Sequence, residues 1–321
     1  MIDRMLIRKY ISQSVILWAG CAITLFAFCW IRVWVVSLLD MGQFRTIVEQ
    51  FREYERFSPI SFDQLLTYAG RVGMTYDEPV VLFCAVVWCI ARGSDVVSGE
   101  LGRGTLEMVL AQPISRTRLL MAHALVSIVG LALLVLLAWL GIWIGVQLTT
   151  VEETVPPPTI RVPVLNVVVP LSTGEPETIQ VAMRDRVDVS AFAGSSLNLF
   201  AFGFFLLGLS TFMSSWDRYR WRTVGVVITI YVLQLVMFGL GKAADQLQWL
   251  THLSFFDLYR PQQIAQAAIH QGHAAAWQLT PVEEGTLLGP LAFSLILIAM
   301  GTLAYVLAIR VFKKRDLPAP L

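Results

Sequence analysis

The chain has 321 residues, of which 56% are hydrophobic and 15% charged, and its formal net charge is +1. That composition excludes an ordinary soluble domain and points to an integral membrane protein. The near-zero charge gives no reason to expect nucleic acid or an acidic ligand as a partner, since attraction would have to come from local charge distribution.

The N-terminus, MIDRMLIRKY, is basic and amphipathic. The apolar run after it is too long for a signal h-region and lacks a small-residue cleavage site, so the first span is expected to stay in the protein. Residues 1–14 read as a short interfacial helix, with Leu6, Ile7 and Tyr10 on one side and Arg4, Arg8 and Lys9 on the other. The first span, 15–39, exceeds the roughly 20 residues that cross a bilayer. It contains Arg32, and an arginine at mid-bilayer costs about 2.5 to 3.5 kcal/mol. Arg32 is therefore expected to snorkel near the outer interface or to face other helices along a pathway. Residues 40–78 predict an amphipathic external region, with Phe44, Ile47, Val48 and Phe51 at helical spacing and a second short helix from about Ser61. The second span, 79–97, carries Arg92 and Asp95 three apart, either an intrahelical ion pair or a link that transmits movement.

A polar island, 98–118, follows. Gly99, Gly102 and Gly104 loosen its backbone, and Thr105 to Gln112 have room for two turns of helix before Pro113 disfavours helix at Gln112. Leu106, Val109 and Leu110 fall at i, i+3 and i+4 and give that helix one apolar face, with Glu107 and Gln112 off it. Ser115 offers a cap to the next helix. Arg116 and Arg118 sit where the helix dipole prefers acids, so helix stability does not explain their charge.

The third span is 119–148. The insert at 149–190 contains Pro156 to Pro158 and two β-branched runs, TIRVPVLNVVVPL and ETIQVAM, flanking the turn-forming STGEP. A small hairpin or sheet outside the membrane is predicted, serving either to recognise a substrate or outer partner or as simple elaboration. The fourth span, 191–213, has Gly194, Gly203 and Gly208 for close helix approach. A turn at 214–222 with three arginines leads to the fifth span, 223–240, then a loop at 241–285, the sixth span at 286–312 and a tail at 313–321. The predicted fold is an all-α integral membrane protein of six transmembrane helices, with a cytoplasmic short helix between spans 2 and 3 and a small extracytoplasmic β insert between spans 3 and 4. With both termini inside, the inner pieces carry 14 basic residues and 6 acids, and the far longer outer pieces carry 10 and 17. The positive-inside rule thus places the island and both termini in the cytoplasm.

Candidate chemistry is sparse. Cys21, Cys29, Cys84 and Cys89 all fall in apolar segments and read as packing residues rather than disulfides or metal ligands. The sequence has no G-x-x-x-x-G-K-[ST], and GLGKAAD around Lys242 lacks the spacing. His252, His270 and His273 share one external region without a cysteine or clustered acid, which leaves a metal site there as the lesser alternative. No nucleophile elbow, HExxH or paired-carboxylate pattern occurs in a suitable setting. The chain is expected not to be an enzyme and to hold no cofactor of its own.

The run GELGRGTLEMVLAQPISRTRLL resembles the loop joining the second and third spans of type-2 ABC exporter permeases, where an acid, a Gly-Thr-Leu-Glu helix, a proline and a Ser-Arg pair recur in that order. WLTHLSFFDLYRP is similar to the aromatic segment before the last span in the same family, and the ending VFKKRDLPAPL is a third point of likeness. His123 departs from the pattern, which often has lysine there to meet lipid or phosphate. The resemblance implies that the short helix is a coupling helix docking into a separate cytoplasmic ABC ATPase, which would bind ATP and Mg. It also implies a second permease subunit, identical or not, surrounding membrane lipid, and a place in the cell's inner (plasma) membrane; an extracytoplasmic partner is a further option. On this reading Glu100, Gly104, Thr105, Leu106, Glu107, Val109, Leu110, Pro113, Ser115 and Arg116 form the ATPase-coupling set. Leu106, Val109 and Leu110 would be its docking face, while Glu100, Glu107 and Arg116 would make polar contacts or fix the loop. Arg32, Arg92 and Asp95 are candidates for a pathway or for transmission. The alternative is a non-transporting membrane anchor or a mechanical signal relay in a larger complex.

Overall fold

A computed structural model describes residues 4–38, 66–112, 114–155, 159–162, 167–170, 177–281 and 288–315. Among them, six helical stretches are long and apolar enough to cross a membrane: Arg4–Ser37, Tyr68–Gly102, Arg116–Leu148, Val189–Trp216, Arg220–Ala243 and Pro290–Lys314. The protein is an all-α membrane protein with a minor β insert.

The first helix, α1, runs unbroken over Arg4–Ser37. The sequence suggests an interfacial helix to residue 14 and then a span, and here the structure differs. No proline or glycine interrupts the junction, and Leu6 and Tyr10 pack with Ala122 of the third span, so the same helix continues. At 1.5 Å per residue its 34 residues reach about 50 Å, beyond the ~30 Å hydrocarbon core. The amphipathic helix expected around residues 44–51, and the start of the next near Ser61, lie outside the described residues. A short α2, Tyr68–Gly73, and a 3-10 turn, Met74–Asp77, lead into α3, Pro79–Ser94, with Pro79 in its first turn where a missing N–H costs nothing. A π turn over Asp95–Gly99, a single helical turn α4 at Glu100–Gly102 and the rod α5, Thr105–Leu110, make up the island. The third span, α6, is Arg116–Leu148.

The insert holds two antiparallel ladders. β1, Thr150–Val155, pairs with β4, Glu177–Ala182, while β2, Thr159–Val162, pairs with β3, Val167–Pro170. The small hairpin or sheet expected here is present, with the first β-branched run supplying both β2 and β3 and ETIQVA pairing with the strand that follows α6. The register runs over all six residues of each strand, from Thr150 opposite Ala182 to Val155 opposite Glu177.

A 3-10 turn, Val189–Phe192, enters α7, Ala193–Trp216, which is the centre of the bundle. α8, Arg220–Ala243, stands at the periphery, with Thr223, Val227 and Gly241 as its buried residues. The short α9, Trp249–Leu253, and α10, Pro261–Gln271, precede the last span, α11, Pro290–Lys314. α7 and α11 touch backbone to backbone: a Cβ on Gly208 would lie 2.7 Å from the Gly301 carbonyl oxygen. Only glycine permits that approach.

Both described chain ends lie at one end of the bundle, the terminal face, where Lys9 meets the island at Glu100 and Arg116 reaches the last carbonyls of α11. The opposite end is closed by the aromatic segment before the last span. Phe255, Phe256 and Tyr259 surround Phe202 of α7 at ring distances of 5.9, 5.4 and 4.8 Å, and the Tyr259 hydroxyl donates to the Tyr76 carbonyl.

Candidate functional site

The island begins where α3 leaves regular helix. A π turn holds one residue more than an α turn and leaves backbone groups out of register. Ser214 of α7 takes them up: its Oγ accepts from the amides of Val97 at 3.2 Å and Ser98 at 3.0 Å and donates to the Ser94 carbonyl at 3.0 Å. Ser98 Oγ donates to the same carbonyl at 2.7 Å, and Thr223 of α8 lies 3.2 Å from Ser98 Oγ. This hydroxyl ladder is wholly buried and ties the second, fourth and fifth spans together.

Beside it lies a knot of charge. Asp95 accepts both Arg103 nitrogens, at 2.7 and 3.2 Å, and has Arg220 at 3.3 Å; Arg92 is the most distant cation at 3.9 Å. The intrahelical Arg92–Asp95 pair read from spacing is thus the weakest contact of the set. Arg92, only 3% exposed, instead lies 6.0 Å from the Trp88 ring. Glu100, 1% exposed, has Lys9 of α1 at 2.8 Å, Arg103 at 3.5 Å, and the Thr105 hydroxyl donating to it. Four cations therefore share two carboxylates. Carboxylates so deeply buried are tolerated because each has more than one cationic partner.

Gly104 turns the chain from α4 into α5 with φ of +69°, the left-handed region that glycine enters without steric cost. In the rod itself, Leu106 is fully buried in the chain's own core, and Val109 and Leu110 pack partly against that core. Of the three residues expected to form a docking face, Leu106 is thus covered by the chain itself, while Val109 and Leu110 keep part of their surface open. The outward side carries Met108, 71% exposed, with Ala111 and Gln112, and a half-exposed Glu107 beside them. Pro113 lies outside the described residues.

Ser115 caps α6 by accepting from the Arg118 amide at 3.3 Å. Arg116 holds the end of α11, donating to the Phe312 and Lys313 carbonyls at 3.1 and 3.3 Å and to that of Arg315. Arg315 does the same for the end of α7 through the Ser215 and Asp217 carbonyls, at 3.0 and 2.9 Å. Each arginine supplies donors to orphan carbonyls at the negative end of another helix.

His123 faces neither lipid nor solvent. It is 1% exposed and meets the Tyr10 ring edge-on at 4.9 Å, on the same inward face as Leu119 and Leu120. Arg32 is at the far end of the bundle, paired with Glu78 at 3.0 Å, and does not join Arg92 and Asp95. Of the external histidines, His252 lies 3.2 Å from Asp257 and His273 lies 3.0 Å from Asp188; among the described residues no three metal-ligating side chains come together. Sequence reasoning missed Lys9, Arg103, Arg220, Ser214, Thr223 and Arg315. For Arg103, charge within the island itself was an available signal; for the others the contacts span about ninety positions or more.

A family model described as "ABC-2 family transporter protein" matches residues 4–317. No curated protein matches the chain.

Proposed function

Since the chain belongs to the ABC-2 family of transporter proteins, we propose that it is the membrane-spanning subunit of an ATP-driven exporter whose ATP and Mg are bound by a separate ATPase. The terminal face would lie in the cytoplasm of a cell bounded by this membrane, as the excess of basic residues at that end supports. Two such subunits, identical or sister chains, would assemble, and the lipid-exposed apolar side of α8 is available for that contact.

The observation that carries this reading is the mounting of α5. The rod presents Met108, Ala111 and Gln112 outward, while its base is fixed through Glu100 to α1 and through Asp95 and the π turn to α3, α7 and α8. A soluble partner pressing on α5 would displace several spans at once rather than bend a loop.

The test uses the full chain, tagged and purified from its native membranes. A soluble protein with Walker motifs is expected to copurify, and Met108→Asp is expected to reduce its recovery at least tenfold with unchanged thermal stability of the permease. Recovery of no such ATPase with the unaltered chain, or equal recovery with Met108→Asp, overturns the assignment.

A further inference from the structure

At the terminal face, a cavity of about 440 Å³ opens where α7 ends, α8 begins and α11 stops, with Trp216, Arg218, Arg222, Val226 and Arg315 in its wall. Asp217 is the one acid among the lining residues, and it is already engaged. One of its carboxylate oxygens accepts the amides of Arg218 and Tyr219, at 2.6 and 3.1 Å, and the other has Arg222 at 3.5 Å. Arg315 points a guanidinium nitrogen at the Ser215 and Asp217 carbonyls. Arg218 is exposed, and among the described residues no acidic side chain pairs with its guanidinium. Three arginines against one aspartate leave the cavity with two positive charges in excess.

Arginines on a turn in bulk water would be ordinary solvated surface, but this turn is bordered by lipid. Trp216 and Trp221 are 70% and 73% exposed, and amphipathic rings displayed at the ends of membrane spans settle among lipid headgroups. Immediately below, Val226 lines the same cavity, and Leu233 and Leu240 follow it at intervals of seven. All three are exposed, so one apolar stripe runs from the cavity along α8 into the hydrocarbon. Ile228, Val232 and Leu235 project from a different side of α8, which stays open to a second subunit. Positive charge above, indole at the border and an apolar stripe beneath match a molecule with an anionic head and acyl chains. A free phosphate would use the arginines and leave the stripe without a purpose.

We propose that this cavity binds the headgroup of an anionic phospholipid, with Arg218 and Arg222 on its phosphate and an acyl chain along Val226, Leu233 and Leu240. Thr223, in the wall of the same cavity, also meets Ser98 of the hydroxyl ladder at 3.2 Å. The lipid therefore seats against the block that carries α5 and holds the ends of α7, α8 and α11 together.

The experiment uses the full chain, delipidated in non-ionic detergent, and counts bound lipid by native mass spectrometry across a titration with dioleoylphosphatidylglycerol. Dioleoylphosphatidylcholine and soluble glycerol 3-phosphate form separate arms. The first phosphatidylglycerol is expected to bind roughly tenfold more tightly than phosphatidylcholine, and millimolar glycerol 3-phosphate should not displace it. Arg218→Gln breaks no ion pair within the described residues and should weaken the site about fivefold; Arg218→Gln with Arg222→Gln should weaken it about thirtyfold, at an unchanged melting temperature. Lys313→Gln with Lys314→Gln removes the same charge from the same face outside the cavity and should change the affinity less than about twofold. Equal affinity for the two lipids, an unchanged site in Arg218→Gln, equal weakening in the two double variants, or displacement by glycerol 3-phosphate each overturns the proposal. The titration needs no ATPase, so its failure is distinct from failure of the coupling reading.

Discussion

Removing the Ser214 hydroxyl is expected to unlock the π turn. Its Oγ is the acceptor for the amides of Val97 and Ser98, at 3.2 and 3.0 Å, in a site from which solvent is excluded. A buried donor left without an acceptor costs about 1–3 kcal/mol. Two are orphaned by Ser214→Ala, but a turn that re-closes as α-helix would recover part of one, so the expected loss is about 2–4 kcal/mol. Ser210, one turn earlier on α7, is the control, since its hydroxyl only donates to the Ile90 carbonyl at 3.3 Å. Ser210→Ala removes a donor and orphans none, and about 0.5–1 kcal/mol is expected. Both variants would be compared by equilibrium SDS titration in mixed micelles, with hydrogen exchange read at Val97 and Ser98. Equal losses in the two variants, with exchange at those amides unchanged, would refute the account of the π turn.

The Lys9–Glu100 contact should show a coupling of about 1–2 kcal/mol in a double-mutant cycle with Lys9→Met and Glu100→Gln; a fully buried pair would give more, but Lys9 is 28% exposed and partly screened. A coupling indistinguishable from zero in the same titration would remove this contact from the mounting. Leu106→Ala should cost about 2–5 kcal/mol because it opens a cavity in the chain's own core, whereas Met108→Ala should be close to neutral. If the order is reversed, the assignment of inward and outward sides is wrong. At the opposite end, hydrogen bonds from the Ser190 hydroxyl and amide, with His273 nearby, hold the Asp188 carboxyl below its ordinary value. A depressed folded-state pKa adds stability that is complete above the unfolded value of about 3.9 and is lost as pH falls through the folded one. Protection of the Ser190 amide, relative to its intrinsic exchange rate, should therefore fall below about pH 4 and stay flat in Asp188→Asn.

The six spans were legible because burying about 20 apolar residues leaves a signal that composition alone carries. Ser115 was legible as a cap because capping is local. The partner of Asp95 was not: spacing pointed to Arg92, but a carboxylate takes the donor with the best geometry, and Arg103 and Arg220 arrive from outside the helix at shorter range. The stripe of Leu106, Val109 and Leu110 shows the limit of periodicity. It establishes that one side of a helix is covered and says nothing of what covers it. The π turn had no warning in the sequence because its stabilising hydroxyl, Ser214, is supplied from more than a hundred positions away.

The mounting of α5 combines two kinds of connection with different responses to load. The hydroxyl ladder is dry and built of short, directional bonds among Ser94, Ser98, Ser214 and Thr223, so α3, α7 and α8 are fixed to one another in a single arrangement. The charge knot is different: Arg103 and Arg220 are 40% and 44% exposed, and an exposed cation exchanges one carboxylate oxygen or a water for another at little cost. A force on α5 would be met first by the knot, which has room to re-pair, and would reach the ladder only as a displacement of three spans together. A rod held solely by salt bridges would let go under load, and one held solely by the ladder could not swing. On the coupling reading proposed above, having both at its base would let α5 act as a hinged arm on a stiff block, turning a contact at the terminal face into movement across the bundle.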